Sequence, residues 1–586
     1  MTPFTWWFSL LLIALQQPRD LEPGVQSGSS ELAGLVISMD AATPLRGAIV
    51  TASVDGMSRV TITDDAGRFL FREFPAGRVL VSARKPGFVP MFFGAKRPGQ
   101  PGVTVVIGPN EQASGVRIAL PRGAVITGTI RDSHGAPAKH TPVATLRVGS
   151  SPTGGPAPPV PIVVSDDHGM YRLFDLAPGD YVVVALPPYN LAPGGVGVRP
   201  AGEIDAIFQR LQQRSRGAGP AQPALGPAEL SRTFGYVPIY HPGTAVAAEA
   251  ERIRIGAGEE RHGVDFTVRF VRTVTISGAV THPSGTVPDV TLSMRPDEPY
   301  GRPQAFLTVG PGPSLGVRPG PDGRFEFTNV PPGRYTITAR TPRDFDIFCG
   351  MAEVTVTNED VSGVGLALQP GLRVIGRVVL DREPGVAGGP DLTWTQVTVR
   401  QSGPSYNFIS NGITSSAPSL VRPDGTFEVT GLLPGDYQIA VSTTAPGSWR
   451  LQSATIGPRD VLDGFSIAAS HATDVVLTMS NRHTVFEGRF HAPAGSVAAD
   501  YFLVVFPGDR ALWSAGSRRV QLTRPSTNGD FALRDLPAGQ YRVAAMTDVD
   551  PDQLTNLAFL EQALASSIPI GVIDGQTVRQ DLKVAR

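Results

Sequence analysis

The carboxylates of Asp548, Asp550 and Asp552 alternate along the segment Asp548-Val-Asp-Pro-Asp552. Such spacing can gather oxygens around Ca²⁺, but an EF-hand loop needs Gly at its sixth position and Glu at its twelfth, where this chain has Gln553 and Phe559. A solvated turn after a strand is the simpler expectation, and no metal is expected. The nine histidines include no His-Glu-x-x-His and no His-x-x-Glu pair, so a zinc hydrolase lacks its sequence frame. Gly312-Pro-Ser-Leu-Gly316 matches the G-x-S-x-G nucleophile pattern, yet the Pro- and Gly-rich surroundings offer no strand-to-helix elbow for Ser314. Phosphate-cradling glycine loops are also missing. The expectation is a chain with no catalytic residues and no cofactor.

Aromatic rings are the more suggestive groups. Trp394, Trp449, Trp513, Phe92, Phe93 and Tyr406 fall outside the repeated strand pattern and are candidate platforms for stacking sugar rings, with core packing as the competing reading for each. A second candidate surface is the segment from Ala201 to Arg214, where Ile204, Ile207, Phe208 and Leu211 have helical spacing. It predicts a short amphipathic helix, either a cap on its own module or a docking helix for a partner.

The elements that would carry these groups are set by a repeat. Five copies of one pattern run through the chain: Asp64-Asp-Ala-Gly-Arg-Phe-Leu-Phe-Arg-Glu-Phe-Pro-Ala-Gly77, Asp166-Asp-His-Gly-Met-Tyr-Arg-Leu-Phe-Asp-Leu-Ala-Pro-Gly179, Asp322-Gly-Arg-Phe-Glu-Phe-Thr-Asn-Val-Pro-Pro-Gly333, Asp424-Gly-Thr-Phe-Glu-Val-Thr-Gly-Leu-Leu-Pro-Gly435 and Asn528-Gly-Asp-Phe-Ala-Leu-Arg-Asp-Leu-Pro-Ala-Gly539. Their first glycines, Gly67, Gly169, Gly323, Gly425 and Gly529, are 102, 154, 102 and 104 residues apart. Steps near one hundred residues match one β-sandwich, and the long step is the same module carrying an insertion.

Within each copy, apolar residues alternate on both sides of the second glycine, as in Phe69/Phe71 then Val79/Val81, and Phe427/Val429 then Tyr437/Ile439. With Asp-Gly or Asn-Gly at one turn and Pro beside Gly at the other, each copy reads as a β-hairpin. A second alternating pair closes each module, for example Val103 to Ile107 with Val116 to Leu120. The next module then begins almost without linker, which predicts a semi-rigid rod.

Composition agrees with folded β modules. Gly and Pro, 66 and 55 residues, are frequent without reaching the level of low-complexity chains, and 41% hydrophobic residues suffice for cores. Modules of roughly 100 residues can fold without disulfides, and the single Cys349, between Phe348 and Met351, is expected to be buried. A net charge of −1 gives no electrostatic case for nucleic acid. Residues Phe4 to Leu15 form an apolar run long enough for a signal-peptide core and too short to span a bilayer, which predicts export and no transmembrane segment in the mature chain.

The Gly-x-Val opening of the module, the Thr43-Pro-Leu-Arg-Gly-Ala-Ile-Val-Thr-Ala52 segment, the Asp-x-x-Gly-x-Phe-x-Phe motif and the Pro-Gly-x-Tyr-x-Val-x-Ala strand together resemble the carboxypeptidase regulatory-like domain. The match is strongest over residues 31 to 122; later copies keep the motif and drift elsewhere. The resemblance implies a transthyretin-like (prealbumin-like) β-sandwich, grouped with carbohydrate-binding-like folds, that is itself non-catalytic. Members of that family are attached to zinc carboxypeptidases, outer-membrane receptors and polysaccharide-acting enzymes.

The expected architecture is all-β: a tandem array of about five Ig- or transthyretin-like sandwiches with a short helical insertion in the second. The expected layout is a signal peptide over 1–17, a linker over 18–30, and sandwiches over 31–122, 123–270, 271–369, 370–479 and 480–586. The insertion falls at about 190–240, with its helix at about 201–214. The expected role is a non-catalytic exported scaffold or adhesion protein of the cell envelope that binds polysaccharide or an envelope protein. The alternative is an accessory subunit docking through the second module onto an outer-membrane receptor or secreted enzyme.

Overall fold

A computed structural model of the chain describes residues 29–54, 57–148, 162–186, 196–197, 233–296, 317–341, 347–385, 389–402, 418–443, 449–514 and 517–583. Alternation of apolar and polar residues produces strands nearly everywhere in these segments, and the strands form paired sheets around five successive cores. The cores are built from residues lying between Leu32 and Leu120, Ala124 and Val268, Val274 and Leu368, Leu372 and Met479, and Phe486 and Leu582. The chain is a tandem array of β-sandwiches, as its repeats predict.

One plan serves all five modules. The opening strand (Ser30–Ser38, Ala124–Arg131, Phe270–Thr281, Leu372–Asp381 or Val485–His491) lies between the first strand of the repeat motif, which it meets antiparallel, and the closing strand of its module, which it meets parallel. A glycine on each opening strand makes the parallel pairing possible. A methyl group at Gly34, Gly128, Gly278, Gly376 or Gly488 would overlap the backbone carbonyl oxygen of Val116, Val264, Val364, Val475 or Gln580 respectively. The glycine of each opening strand is thus a requirement for close backbone approach.

The repeat motif is not a hairpin. Its first strand (Arg68–Phe74 in module one) belongs to the sheet of the opening strand, whereas its second (Gly77–Arg84) belongs to the opposite sheet, paired with Ile49–Val54. The same division holds in every module, so the motif is an arch that carries the chain across the core. Backbone with φ between 51° and 75° at Glu73, Asp175, Gly431 and Asp535 turns the chain out of the first sheet, and the next residue, Phe74, Leu176, Leu432 or Leu536, plugs the arch from inside. Alternation alone cannot separate hairpin from arch, since both turn one face of each strand to the same core.

Local hydrogen bonds fix the arch at both ends. The Asp or Asn before the first glycine accepts backbone N–H groups two residues on: Asp64 from Ala66, Asp166 from His168, Asp322 from Arg324, Asp424 from Thr426 and Asn528 from Asp530. At the other end, Tyr181, Tyr335, Tyr437 and Tyr541 donate their hydroxyls to the carbonyls of Ala177, Pro331, Leu433 and Pro537 at 2.7–2.9 Å. Burial pushes the phenols of Tyr181 and Tyr541 up, which keeps them protonated as donors.

Two features depart from the sequence expectation. Module five carries an α-helix, Leu557–Ala565, capped by the Asn556 side chain accepting from Ala558 N. Phe559, Leu560 and Ala563 lie in a second core with Phe502, Val504 and Phe506, so both faces of the strand Phe502–Pro507 are buried. The array also closes on itself instead of extending as a rod. Gln100, 1% exposed, donates to Asp548 Oδ1 (3.2 Å) and Val549 O (2.7 Å); Arg97 pairs with Asp548; Lys96 Nζ reaches Thr547 O; and Thr527 N donates to Thr104 O. Module two joins this contact through Arg147 and Asp552, 3.8 Å apart.

Candidate functional site

Neighbouring modules meet at the arch. Asp175 of module two accepts from Gly87 N of module one (2.9 Å), Gly431 O of module four accepts from the Cys349 thiol of module three (3.5 Å), and Asp535 of module five accepts from Arg450 Nε of module four (2.8 Å). All three are the sixth residue after the first glycine of their motif. Cys349 is buried at its joint and its thiol is pushed up to about 11, because burial disfavours the thiolate. This is the burial its apolar neighbours predict.

The joint between modules four and five differs in two respects. It is locked by a buried cation: Arg519, its side chain 4% exposed, donates at 2.5 Å to both Asp460 and Asp463, while Asp463 also accepts from Ser517 Oγ (2.7 Å) and Arg518 N (3.0 Å). The residue's 3% overall exposure and this fork place it inside the interface. Burial works against the Arg519 charge, but the two carboxylates outweigh it and raise its pKa.

It also holds a cleft of about 370 Å³, within the range of small-ligand sites. Trp449, Arg450 and Gln452 from module four line one side; Arg518, Asp535 and Asp574 from module five line the other. Trp449 is half-buried, its ring packed against the module-four core. Gln452 is 8% exposed, and its Oε1 is buried with no hydrogen-bond partner among the described residues. An acceptor left in that state costs roughly 1–3 kcal/mol. Arg450 is neutralised by Asp535, which also accepts from His483. Arg518 donates Nη2 to Ile439 O (3.2 Å), and Asp574 accepts from Ala538 N (3.1 Å), leaving each with unused hydrogen-bonding capacity.

The remaining candidates lie elsewhere. Trp394 is 64% exposed on a short 3₁₀ turn, Leu392–Trp394, capped by Asp391. Trp513 is corrected to a core residue: it packs edge-on against Phe506 under the module-five helix and donates Nε1 to Pro507 O, so its faces are closed to a ligand. Phe92 is partly exposed on a short strand paired with Gly77–Arg84, and the adjacent Phe93 packs on the module-one core. Tyr406, Ser314 and the 201–214 segment lie outside the described residues. The acidic segment is spread over three contacts. Asp548 faces Arg97, Asp550 caps the turn Pro551–Thr555, and Asp552 faces Arg147, so the three carboxylates diverge into separate tasks. Among the described residues no group of three or more His, Cys, Asp or Glu side chains is placed to hold a metal.

Sequence reasoning singled out Trp449 but not its partners. Arg450, Gln452, Arg518, Asp535 and Asp574 come together only through the joint. The signal that could have found Asp535 is its place in the motif, six residues after the turn glycine, where Asp175 and Gly431 make the corresponding joints.

Among the described residues no helix is long and apolar enough to cross a membrane. No protein-family model matches the chain, and no curated protein matches it. Solved structures similar to it include the Bacillus anthracis TIE protein (12% identity over 57% of this chain and 51% of that one, TM-score 0.16), two B repeat units of the collagen binding protein of Staphylococcus aureus (10%, 77% and 99%, 0.13) and BcpA, the major pilin subunit of Bacillus cereus (9%, 79% and 99%, 0.15). The chain spans about half the length of the first of these. At such TM-scores these likenesses carry no argument about activity or partners, and the fold rests on the strand pairings described above.

Proposed function

We propose that this chain is a non-catalytic, exported scaffold or adhesion protein of the cell envelope, built of carboxypeptidase regulatory-like modules, that binds polysaccharide in the cleft between modules four and five. The observation that carries the reading is Trp449: a half-buried indole in a cleft lined by apolar residues such as Val441, Leu451 and Leu536 and by the polar side chains of Arg450, Arg518, Asp535 and Asp574, a combination that suits stacking a sugar ring and holding its hydroxyls. The non-catalytic part is supported by the tasks the titratable groups already perform, since Cys349 is sealed in a joint and Asp535, Asp463 and Asp460 hold modules together.

The test is binding of the full chain to an array of glycans and insoluble polysaccharides. A saturable hit weakened about tenfold or more by Trp449→Ala, and unchanged by Trp394→Ala, supports the site, tenfold being about 1.4 kcal/mol of lost stacking. Failure to bind any glycan refutes the polysaccharide reading and leaves an envelope protein as the partner.

A further inference from the structure

Resting on the polysaccharide reading of the cleft between modules four and five, we propose that its ligand is an uncharged glycan, a chain of neutral hexoses rather than a polyuronate or an amino-sugar polymer.

The charges that line the cleft balance. Arg450 and Asp535 cancel each other at 2.8 Å, which leaves one cation, Arg518, and one anion, Asp574. The Arg518 guanidinium has donated one N–H, to Ile439 O, and Asp574 Oδ1 has accepted one, from Ala538 N. Arginine can only donate and an ionised carboxylate can only accept, whereas a hydroxyl does both. The hydroxyls of a sugar can therefore use both Arg518 and Asp574. A uronate carboxylate would gain Arg518 but meet the like charge of Asp574 inside a partly desolvated cleft; a protonated amino sugar would gain Asp574 and meet Arg518. Each charged ligand meets one like charge, which is how a site rejects the wrong partner as well as holding the right one.

Trp449 also fits an uncharged ring. The Trp449 ring supplies an apolar face, which stacks against the C–H face of a hexose without needing charge.

The experiment compares cellohexaose, laminarihexaose and maltohexaose with an oligogalacturonate and a chitosan oligosaccharide of the same length, by calorimetric titration of the full chain at low salt and at ~0.5 M NaCl. The expected result is that at least one neutral glucan binds ~tenfold or more tighter than either charged oligomer, with an affinity that salt changes by less than about twofold. Asp574→Asn should narrow the gap by strengthening oligogalacturonate, since the amide oxygen can still accept from Ala538 N while the repulsion is gone. Arg518→Gln should do the same for chitosan. Tighter, salt-sensitive binding of either charged oligomer overturns this inference while leaving the polysaccharide site intact. Binding of none of the five overturns the polysaccharide reading itself.

Discussion

Removing the Arg519 guanidinium should loosen the joint that forms the cleft, and the structure gives the size of the effect. Arg519 is 4% exposed in its side chain and Asp463 10%, so their 2.5 Å contact is a buried ion pair; Asp460, 48% exposed, adds little beyond geometry. Breaking a buried pair by deleting one partner costs about 3–5 kcal/mol, mostly the penalty of the charge left behind. Asp463 keeps two other donors, Ser517 Oγ and Arg518 N, which place the loss at the lower end, about 3 kcal/mol. Because five modules need not unfold as one, the assay is differential calorimetry resolving the transitions of modules four and five, with Trp513 fluorescence reporting the module-five core. Arg519→Ala should lower that transition strongly, while pairing it with Asp463→Leu should restore part of the loss, since no buried charge then remains unpaired. A loss below about 1 kcal/mol for Arg519→Ala, the range of an exposed pair, would refute the assignment of a buried lock.

Other outcomes follow from the same geometry. Gly376→Ala drives a methyl into the Val475 carbonyl oxygen and should destabilise module four by about 1–3 kcal/mol or more in urea unfolding, a clash absent for Gly365→Ala in module three, where a methyl meets open space. The Cys349 thiol, pushed up to about 11 by burial, should resist iodoacetamide at pH 8 in the native chain and react readily in urea. The unfolded thiol ionises first, near the ordinary value of 9.0, so its contribution to stability is full below that pH and is lost as pH rises through about 11. Replacing Gln100 and Arg97 together by Ala removes the contacts to Asp548 and Val549 and should open the array, seen as a larger radius of gyration in small-angle scattering; an unchanged radius would show that the other contacts suffice.

The modular β architecture was legible because its signals are local. Turn acids, the turn glycine and strand alternation lie within a dozen residues, and each finds its predicted bond, as Asp424 does with Thr426, whose hydroxyl and amide hold the carboxyl below its usual range. What failed was the partner of each strand. Phe427/Val429 and Tyr437/Ile439 share a core without sharing a sheet, and only the positive-φ residue between them, Gly431, marks the crossing. The module-five helix was hidden because Leu557–Ala565 is too short for a strong periodic signal, although five consecutive apolar residues from Phe502 to Phe506 do announce a strand covered on both faces. Closure of the array depends on residues hundreds apart in sequence, such as Gln100 with Val549, and assembly of the cleft on residues in different modules, for neither of which periodicity holds information. Trp449 and Trp513 are the same residue type in similar surroundings of sequence, and only the fold separates a ring at a cleft from a ring in a core.

The central claim, that the joint between modules four and five holds a sugar ring against Trp449, is tested most directly by tryptophan fluorescence during titration with a neutral glucan oligosaccharide. The account predicts a saturable spectral change in the native chain that persists in Trp394→Phe and disappears, together with binding measured by calorimetry, in Trp449→Ala. A change that survives Trp449→Ala and vanishes in Trp394→Phe would contradict it, placing the ligand on the exposed turn of module four instead.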